Sequence, residues 1–177
     1  MAKLLIVVDM KKDFIDGALG TKEAVAIVPN VVEKIKEFQA AGDFIIFTKD
    51  THFENYMETQ EGRNLPVEHC IKGTEGHEIC DEIKAVVDLD KYKTYEKLTF
   101  GSSELASDLN HGIYDAVESV TLVGLCTDIC VISNAMICKT FMTETPIYIA
   151  ADCCAGVTPE SHENALKAME MCQIKIV

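Results

Sequence analysis

The chain has 177 residues, of which 48% are hydrophobic and 25% are charged, and its formal net charge is −13. Those proportions are typical of a globular protein and exclude a disordered chain, and the length predicts a single domain over residues 1–177. The acidic balance argues against binding to nucleic acid or to anionic membrane surfaces, because both carry negative charge.

The amino-terminal sequence contains no predicted targeting signal or membrane anchor. Its first apolar run, 4–8, is too short for the core of a signal peptide, and no run approaches the roughly 18 apolar residues of a transmembrane helix. The chain has 8 cysteines, and none of them pairs with another as Cys-x-x-Cys. We therefore expect a cytoplasmic protein whose thiols are reduced and free.

Predicted strands and helices alternate along the chain. In order, the pattern predicts strand 4–8, helix 21–41, strand 44–47, a polar loop at 50–76, helix 79–87, strand 92–96, helix 102–109, strand 120–125, helix 128–141, strand 147–150, helix 159–171 and strand 174–177. This alternation predicts an α/β fold, a three-layer αβα domain with a mainly parallel sheet of roughly six strands.

Polar residues with chemical potential follow several of these strands. Asp9 and Asp50 end the first two, Lys97 follows the third, and Cys130 lies in the first turn of the helix after the fourth. Sites in open parallel sheets form at the carboxyl ends of the strands, and a helix amino terminus is expected to lower the pKa of a thiol. Singly, such a Cys is more often a buried apolar residue and such an Asp a cap. Together they favour a catalytic site.

A second group combines one carboxylate with two imidazoles. Asp50 and His52 are two residues apart, which in an extended chain points both side chains the same way, and His69 lies beyond a loop. Such donors suit Zn²⁺, Fe²⁺ or Mn²⁺ with an open position for water or substrate, and an acidic residue of the loop could add a ligand. Spacing alone leaves metal binding and capping roles equally open. The acidic candidates are Glu54, Glu58 and Glu61. The remaining histidines are interpreted as surface or capping residues: His77, His111 and His162.

Five segments of the chain form a recognisable set of motifs. They are 7–14 (VVDMKKDF), 50–52 (DTH), 66–74 (PVEHCIKGT), 97–102 (KLTFGS) and 123–131 (VGLCTDICV). The most specific of them is Gly-x-x-Thr-Asp-x-Cys-Val. Together they resemble the isochorismatase-like cysteine hydrolases, and among them most closely the nicotinamidases (pyrazinamidases).

The resemblance implies a catalytic triad and an oxyanion hole. Cys130 matches the family nucleophile, Asp9 its proton acceptor and Lys97 the third member. The peptide between Leu125 and Cys126 matches a cis bond of the family, and the backbone N–H groups of Cys126 and Cys130 match the donors to the oxyanion.

The resemblance also implies a metal site and a pocket for the substrate ring. Asp50, His52 and His69 match the metal ligands, for which Zn²⁺ is the first expectation and Fe²⁺ or Mn²⁺ are the alternatives, and Glu61 stands where some members have a further acidic ligand. Phe14 matches an aromatic residue that packs on the ring. Relatives commonly have a Trp before the second His, whereas this chain has none, so Leu65 or Tyr56 is expected to replace it. Lys11 stands where the family usually has Gln.

The resemblance thus implies a homo-oligomeric enzyme with a small-molecule amide substrate. Hydrolysis of nicotinamide to nicotinate and ammonia through a cysteine thioester is the first interpretation. A related hydrolase of another small amide or carbamoyl compound is the alternative, because the residues around the ring differ. A non-enzymatic metal or thiol protein is a weaker alternative, since it leaves Asp9 and Lys97 without a role.

Overall fold

A six-stranded sheet forms the centre of the molecule in the computed structural model, which describes residues 2–177. All neighbouring strands are parallel, and their spatial order is β3-β2-β1-β4-β5-β6. The predicted α/β fold is therefore confirmed. The strands are β1 (Leu4–Val8), β2 (Phe44–Asp50), β3 (Lys93–Lys97), β4 (Val120–Leu125), β5 (Ile147–Ala155) and β6 (Lys175–Ile176).

Helices cover both faces of the sheet. They are α1 (Lys12–Ile15), α2 (Lys22–Ala41), α3 (Gln60–Asn64), α4 (Asp81–Lys84), α5 (Ser103–Asn110), α6 (Ile132–Phe141) and α7 (Pro159–Met171). Leu5 and Val7 of β1 pack into a core with α1, α2 and α4, whereas Leu4, Ile6 and Val8 pack into a second core with α5, α6 and α7. This double burial explains why β1 is continuously apolar.

The bounds of β1, β4 and α7 agree with the sequence pattern, and several other features differ. Of the predicted helix 79–87, only Asp81–Lys84 is α-helical. Strand β5 continues to Ala155, beyond the apolar run that predicted it. The predicted helix 128–141 begins as a π-helical turn, Thr127–Val131, before α6. The short helices α1 and α3 were not predicted, because each is too short to show a helical period.

Gly124 allows the two central strands to approach each other. It is paired with Val8 across β1 and β4 and has φ +118°, a conformation that side chains disfavour. A Cβ atom there would lie 2.1 Å from the carbonyl oxygen of Val8. Only glycine fits this contact, which lies immediately before Asp9 on one strand and before the Cys130 turn on the other.

The chain leaves β1 toward β2 and returns from β3 to β4 on the opposite side of β1. The two central strands therefore mark the point where the strand order reverses, where open α/β sheets form their sites. Among residues 2–177, no helix is long and apolar enough to cross a membrane.

Candidate active site

Three residues predicted from strand ends meet in one buried cluster. Asp9 directly follows β1, Lys97 is the last residue of β3, and Cys130 lies in the π-helical turn after β4. Their exposed fractions are 0%, 2% and 4%, respectively. The parallel strands bring all three to the same edge of the sheet.

Lys97 is the centre of this cluster. Its Nζ lies 2.6 Å from Oδ2 of Asp9 and donates to Sγ of Cys130 at 3.3 Å. The other carboxylate oxygen of Asp9 accepts from Oγ1 of Thr48 at 2.6 Å and from the backbone N–H of Asp50 at 3.1 Å. Asp9 is thus held by strand β2 on one side and by the lysine on the other.

The environment of Cys130 favours the neutral thiol over the thiolate. Burial, followed by the negative charge of Asp9, raises the pKa of Cys130 well above its ordinary value, and Lys97 only partly opposes this shift. The expectation that a helix terminus would lower this pKa was wrong, because burial and the Asp9 carboxylate both oppose a negative charge on the sulfur. Burial lowers the pKa of Lys97, but Asp9, Cys130 and Asp50 together raise it above its ordinary value, so the ammonium stays charged.

The backbone before Cys130 has the conformation that the resemblance implied. The peptide between Leu125 and Cys126 is cis, and Asp9 on the facing strand has φ 48°. The assignment of the N–H groups of Cys126 and Cys130 to an oxyanion hole stays a prediction.

A second cluster combines two carboxylates and two imidazoles. One ligand atom from each of Asp50, His52, Glu61 and His69 lies within 4.8 Å of the others. Nε2 of His52 is 3.0 Å from Asp50 Oδ2 and 3.5 Å from Glu61 Oε1, and Nε2 of His69 is 3.5 Å and 3.7 Å from the same oxygens. Of the three acidic candidates, only Glu61, carried by α3, joins the cluster, and Glu54 and Glu58 are exposed.

These donors fit a divalent transition metal. Nδ1 of His69 donates to the carbonyl of Val67 at 2.7 Å, which leaves Nε2 free to bind a metal, as in known histidine sites. Burial raises the pKa of Asp50, but His52, His69 and Lys97 hold it below its ordinary value. Burial lowers the pKa of His52, but Asp50 and Glu61 raise it to about 9. The cluster therefore attracts positive charge.

Asp50 connects the two clusters. Its Oδ1 lies 3.3 Å from Nζ of Lys97, while its Oδ2 faces both histidines. A positive charge bound between the two histidines would therefore interact, through Asp50, with the Lys97 ammonium that contacts Cys130.

Lys11 and His77 are buried next to residues 50–51, and the sequence did not predict this burial. Lys11 is fully buried, its Nζ donates to the main-chain carbonyl of Asp50, and burial lowers its pKa to about 8. His77 is also buried, and its Nε2 lies 2.9 Å from Oγ1 of Thr51, so its interpretation as a surface or capping residue was wrong. His111, by contrast, is exposed and contacts the Ser107 carbonyl in the last turn of α5.

A cavity of about 250 Å³ reaches Cys130 from the surface. Both predicted substrate contacts, Phe14 and Leu65, line it, together with the metal-cluster residues Asp50, Glu61 and His69. Tyr56 packs instead against the rings of His52 and His69 at 4.8 and 5.0 Å, and its hydroxyl donates to the Leu65 carbonyl at 2.8 Å. Further apolar residues of the wall are Leu19, Ala24, Phe100, Leu125, Ile129 and Val157.

Comparisons with known proteins agree with this geometry. A model of the isochorismatase domain matches residues 3–177. A Bacillus subtilis (strain 168) protein described as the uncharacterized isochorismatase family protein PncA is 31% identical over 143 residues, which cover 77% of this chain and 78% of that protein.

Two solved structures are similar over the whole chain. A pyrazinamidase of Pyrococcus horikoshii in complex with zinc is 33% identical, with a TM-score of 0.82 over 100% of this chain and 99% of its own. A nicotinamidase/pyrazinamidase PncA from Bacillus subtilis is 27% identical, with a TM-score of 0.84 over 100% of both chains.

Proposed function

The chain belongs to the isochorismatase family and is a hydrolytic amidase, and on that premise we propose that it hydrolyses nicotinamide to nicotinate and ammonia. The observation that carries the proposal is the position of Lys97, whose ammonium contacts Asp9, Cys130 and Asp50 at once. This arrangement joins a protonated nucleophile, a proton acceptor and a metal-binding carboxylate in one buried cavity. The similar proteins named nicotinamidase and pyrazinamidase support the choice of substrate.

The first half of the reaction makes a thioester. Asp9 accepts the proton of the Cys130 thiol, and the sulfur attacks the amide carbonyl carbon as Lys97 stabilises the thiolate. The N–H groups of Cys126 and Cys130 are assigned to the negative oxygen of the tetrahedral intermediate. The carbon–nitrogen bond then breaks, and Asp9 returns its proton to the departing ammonia.

The second half hydrolyses the thioester. Asp9, again a carboxylate, accepts a proton from water, whose oxygen attacks the carbonyl carbon. The carbon–sulfur bond breaks, and Cys130 regains a proton from Asp9. Nicotinic acid leaves and gives its own proton to solvent to become nicotinate. The same carboxylate therefore serves as base and acid in both halves, which requires it to stay within reach of the sulfur.

We assign one divalent metal per chain to Asp50, His52, His69 and Glu61, with Zn²⁺ as the first choice and Fe²⁺ or Mn²⁺ as alternatives. Such an ion supplies Lewis acidity and an electrostatic anchor for a ligand. Phe14 and Leu65 bracket the ring from the apolar wall of the cavity. The volume of about 250 Å³ is below the roughly 300–1,000 Å³ of sites for drug-sized ligands, which suits a single-ring amide.

The test is ammonia release from a panel of amides by metal-loaded protein. Nicotinamide and pyrazinamide should be hydrolysed, with nicotinate identified as the acid product. A carbamoyl amine of similar size should release ammonia at least about tenfold more slowly, because the apolar wall offers it no ring contact. Release from the carbamoyl compound without any release from nicotinamide would overturn the proposal.

A further inference from the structure

A second cavity, here named the outer cleft, adjoins the active-site cavity. It has a volume of about 540 Å³. Four residues, Glu61, Leu65, Phe100 and Ile129, line both spaces, so the same side chains form the partition between them. The residues that line the outer cleft alone are Gln60, Asn64, Thr99, Asp128 and Ser133.

Two residues of the partition have hydrogen-bonded backbones and partly exposed side chains. The N–H of Leu65 donates to the Glu61 carbonyl at 2.8 Å, and the carbonyl of Phe100 accepts from the side-chain amide of Asn134 at 3.1 Å. The side chains of Leu65 and Phe100 are nevertheless 39% and 45% exposed. A ligand that extends from the active-site cavity into the outer cleft can therefore contact the apolar side chains of both Leu65 and Phe100.

The two spaces differ in chemistry. The wall of the inner cavity is mostly apolar above its polar floor, whereas the outer cleft adds amide, hydroxyl and carboxylate groups. The Asp128 carboxylate is held in place by the N–H of Val157, at 3.1 and 3.3 Å from its two oxygens. Each of those oxygens keeps a further lone pair for a ligand.

The outer cleft carries negative charge that the assigned metal does not neutralise. Among the described residues that line it, none is Lys or Arg, whereas Glu61 and Asp128 are carboxylates, and only Glu61 is assigned to the metal. The net charge of −13 adds to this field. A phosphate or carboxylate substituent is therefore disfavoured in the outer cleft, and a cationic or hydrogen-bond-donating substituent is favoured.

We propose that the outer cleft is a second substrate subsite, which receives a neutral or cationic substituent on the ring of the amide that Cys130 attacks. The inference rests on the proposed function for the site of reaction and extends the substrate class to larger, ring-substituted carboxamides. The chemistry is unchanged: a substituted nicotinamide and water give the substituted nicotinate and ammonia. The carboxamide lies at the sulfur, and the substituent passes the edges of Leu65 and Phe100.

The probes are nicotinamides that carry an aminoethyl group at ring carbon 5 or 6, and the same rings with a carboxyethyl group. Ammonia release by the metal-loaded protein gives kcat/KM for each. At least one aminoethyl compound should be hydrolysed within about tenfold of nicotinamide, and its carboxyethyl partner at least about tenfold more slowly than it.

Two variants locate the effect. Asn64→Trp places a large ring in the outer cleft, outside the residues that line the inner cavity, and should lower kcat/KM for the aminoethyl compound about tenfold or more while leaving nicotinamide within about twofold. Asn110→Trp makes the same change at an exposed position that lines neither space and should alter neither substrate. Asp128→Asn keeps an acceptor for Val157 and should reduce the preference for the amino over the carboxy compound.

The outcomes separate this inference from the proposed function. Hydrolysis of nicotinamide with no hydrolysis of any aminoethyl compound overturns the subsite and leaves the function intact. Equal losses for both substrates in Asn64→Trp also overturn the subsite. Loss of activity toward the aminoethyl compound alone in Asn64→Trp supports the subsite. Hydrolysis of an aminoethyl compound but not of nicotinamide itself would overturn the proposed function and leave the subsite supported.

Discussion

The triad and the metal-ligand cluster share a cavity but are built in different ways. Asp9 and Lys97 stand at the ends of strands, and the sheet register that pairs Val8 with Thr48, and Asp50 with Lys97, sets their positions. Their opposite charges compensate each other at 2.6 Å. The geometry of the triad is therefore a property of the sheet and requires no added ion.

The metal-ligand cluster depends on the long segment between β2 and α4. Glu61 is carried by the short helix α3, and His69 precedes Cys70, whose N–H is held by the Asp13 carboxylate at 2.8 Å. Asp50 faces both histidines and Lys97, whereas Glu61 faces the histidines alone. The comparison teaches that the sheet itself compensates the charges of the first cluster, whereas the second cluster presents a set of donors that suits a cation.

Removal of the nucleophile tests the triad with the largest expected effect. Cys130→Ala should lower ammonia release by about 10⁴-fold or more, because no other group can form the thioester. Its circular dichroism and metal content should match the wild type, since the metal donors are untouched. Cys138→Ala, a matched change at a buried cysteine of α6 outside the cavity, should keep most activity. Near wild-type turnover by Cys130→Ala would falsify the thiol mechanism.

The double variant His52→Ala/His69→Ala tests the second cluster. Elemental analysis should find about one divalent transition ion per chain in wild-type protein and almost none in the variant. Zn²⁺ should raise the Tm of the wild type and leave that of the variant unchanged, because only the folded wild type binds the ion. Full activity of metal-free protein after exhaustive chelation would remove the cluster from the proposed function.

Alkylation of Cys130 should respond in opposite directions to the two charges beside it. Lys97→Met removes the charge that lowers the pKa of Cys130, so the pKa rises further and iodoacetamide reacts more slowly at neutral pH. Asp9→Asn removes the charge that raises this pKa, so alkylation becomes faster even though turnover is lost. The expected change is about tenfold each way, equal to about one pKa unit. The measurement is the alkylation rate of each protein against pH.

One result would contradict the role assigned to Lys97. Identical pH profiles of alkylation for wild type and Lys97→Met would mean that Lys97 does not control the charge on the sulfur. Cys130→Ala, alkylated under the same conditions, gives the background from the other cysteines.

Replacement of Lys11 should have the smallest effect of these changes, and it should alter the affinity for metal rather than the reactivity of Cys130. The buried ammonium of Lys11 contacts the main chain of Asp50 and repels a nearby cation, so Lys11→Gln should bind Zn²⁺ about tenfold more tightly in a chelator competition. The Lys11 pKa is lowered to about 8, so wild-type affinity should rise toward that of the variant as the pH increases through this value. Weaker binding by Lys11→Gln would instead give the lysine a positioning role through the Asp50 carbonyl.

Much of the fold could be predicted because its central strands are short apolar runs. The bounds of β1 and β4 follow directly from such runs, and the meeting of Asp9, Lys97 and Cys130 follows from the rule that parallel strands share a carboxyl edge. Spacing left Glu61 as one of three acidic candidates, the resemblance singled it out, and α3 carries it to the two histidines.

The remaining features depend on contacts distant in sequence. His77 has polar neighbours in the sequence that are typical of a surface residue, yet it is buried and contacts Thr51, 26 residues away. Burial of the Lys11 ammonium depends on the Asp50 carbonyl, 39 residues away. The pKa of Cys130 likewise depends on enclosure by several elements, so a local rule about helix ends gave the wrong sign.

Gly124 couples the distance between Asp9 and Cys130 to the packing of two strands. The close contact with Val8 lies one residue before the proton acceptor and a few residues before the nucleophile, so the separation of these two catalytic groups is coupled to the gap between β1 and β4. Any side chain at this position must widen that gap. A single methyl group at residue 124 would therefore shift the Asp9 carboxylate relative to the Cys130 sulfur without touching the wall of the cavity.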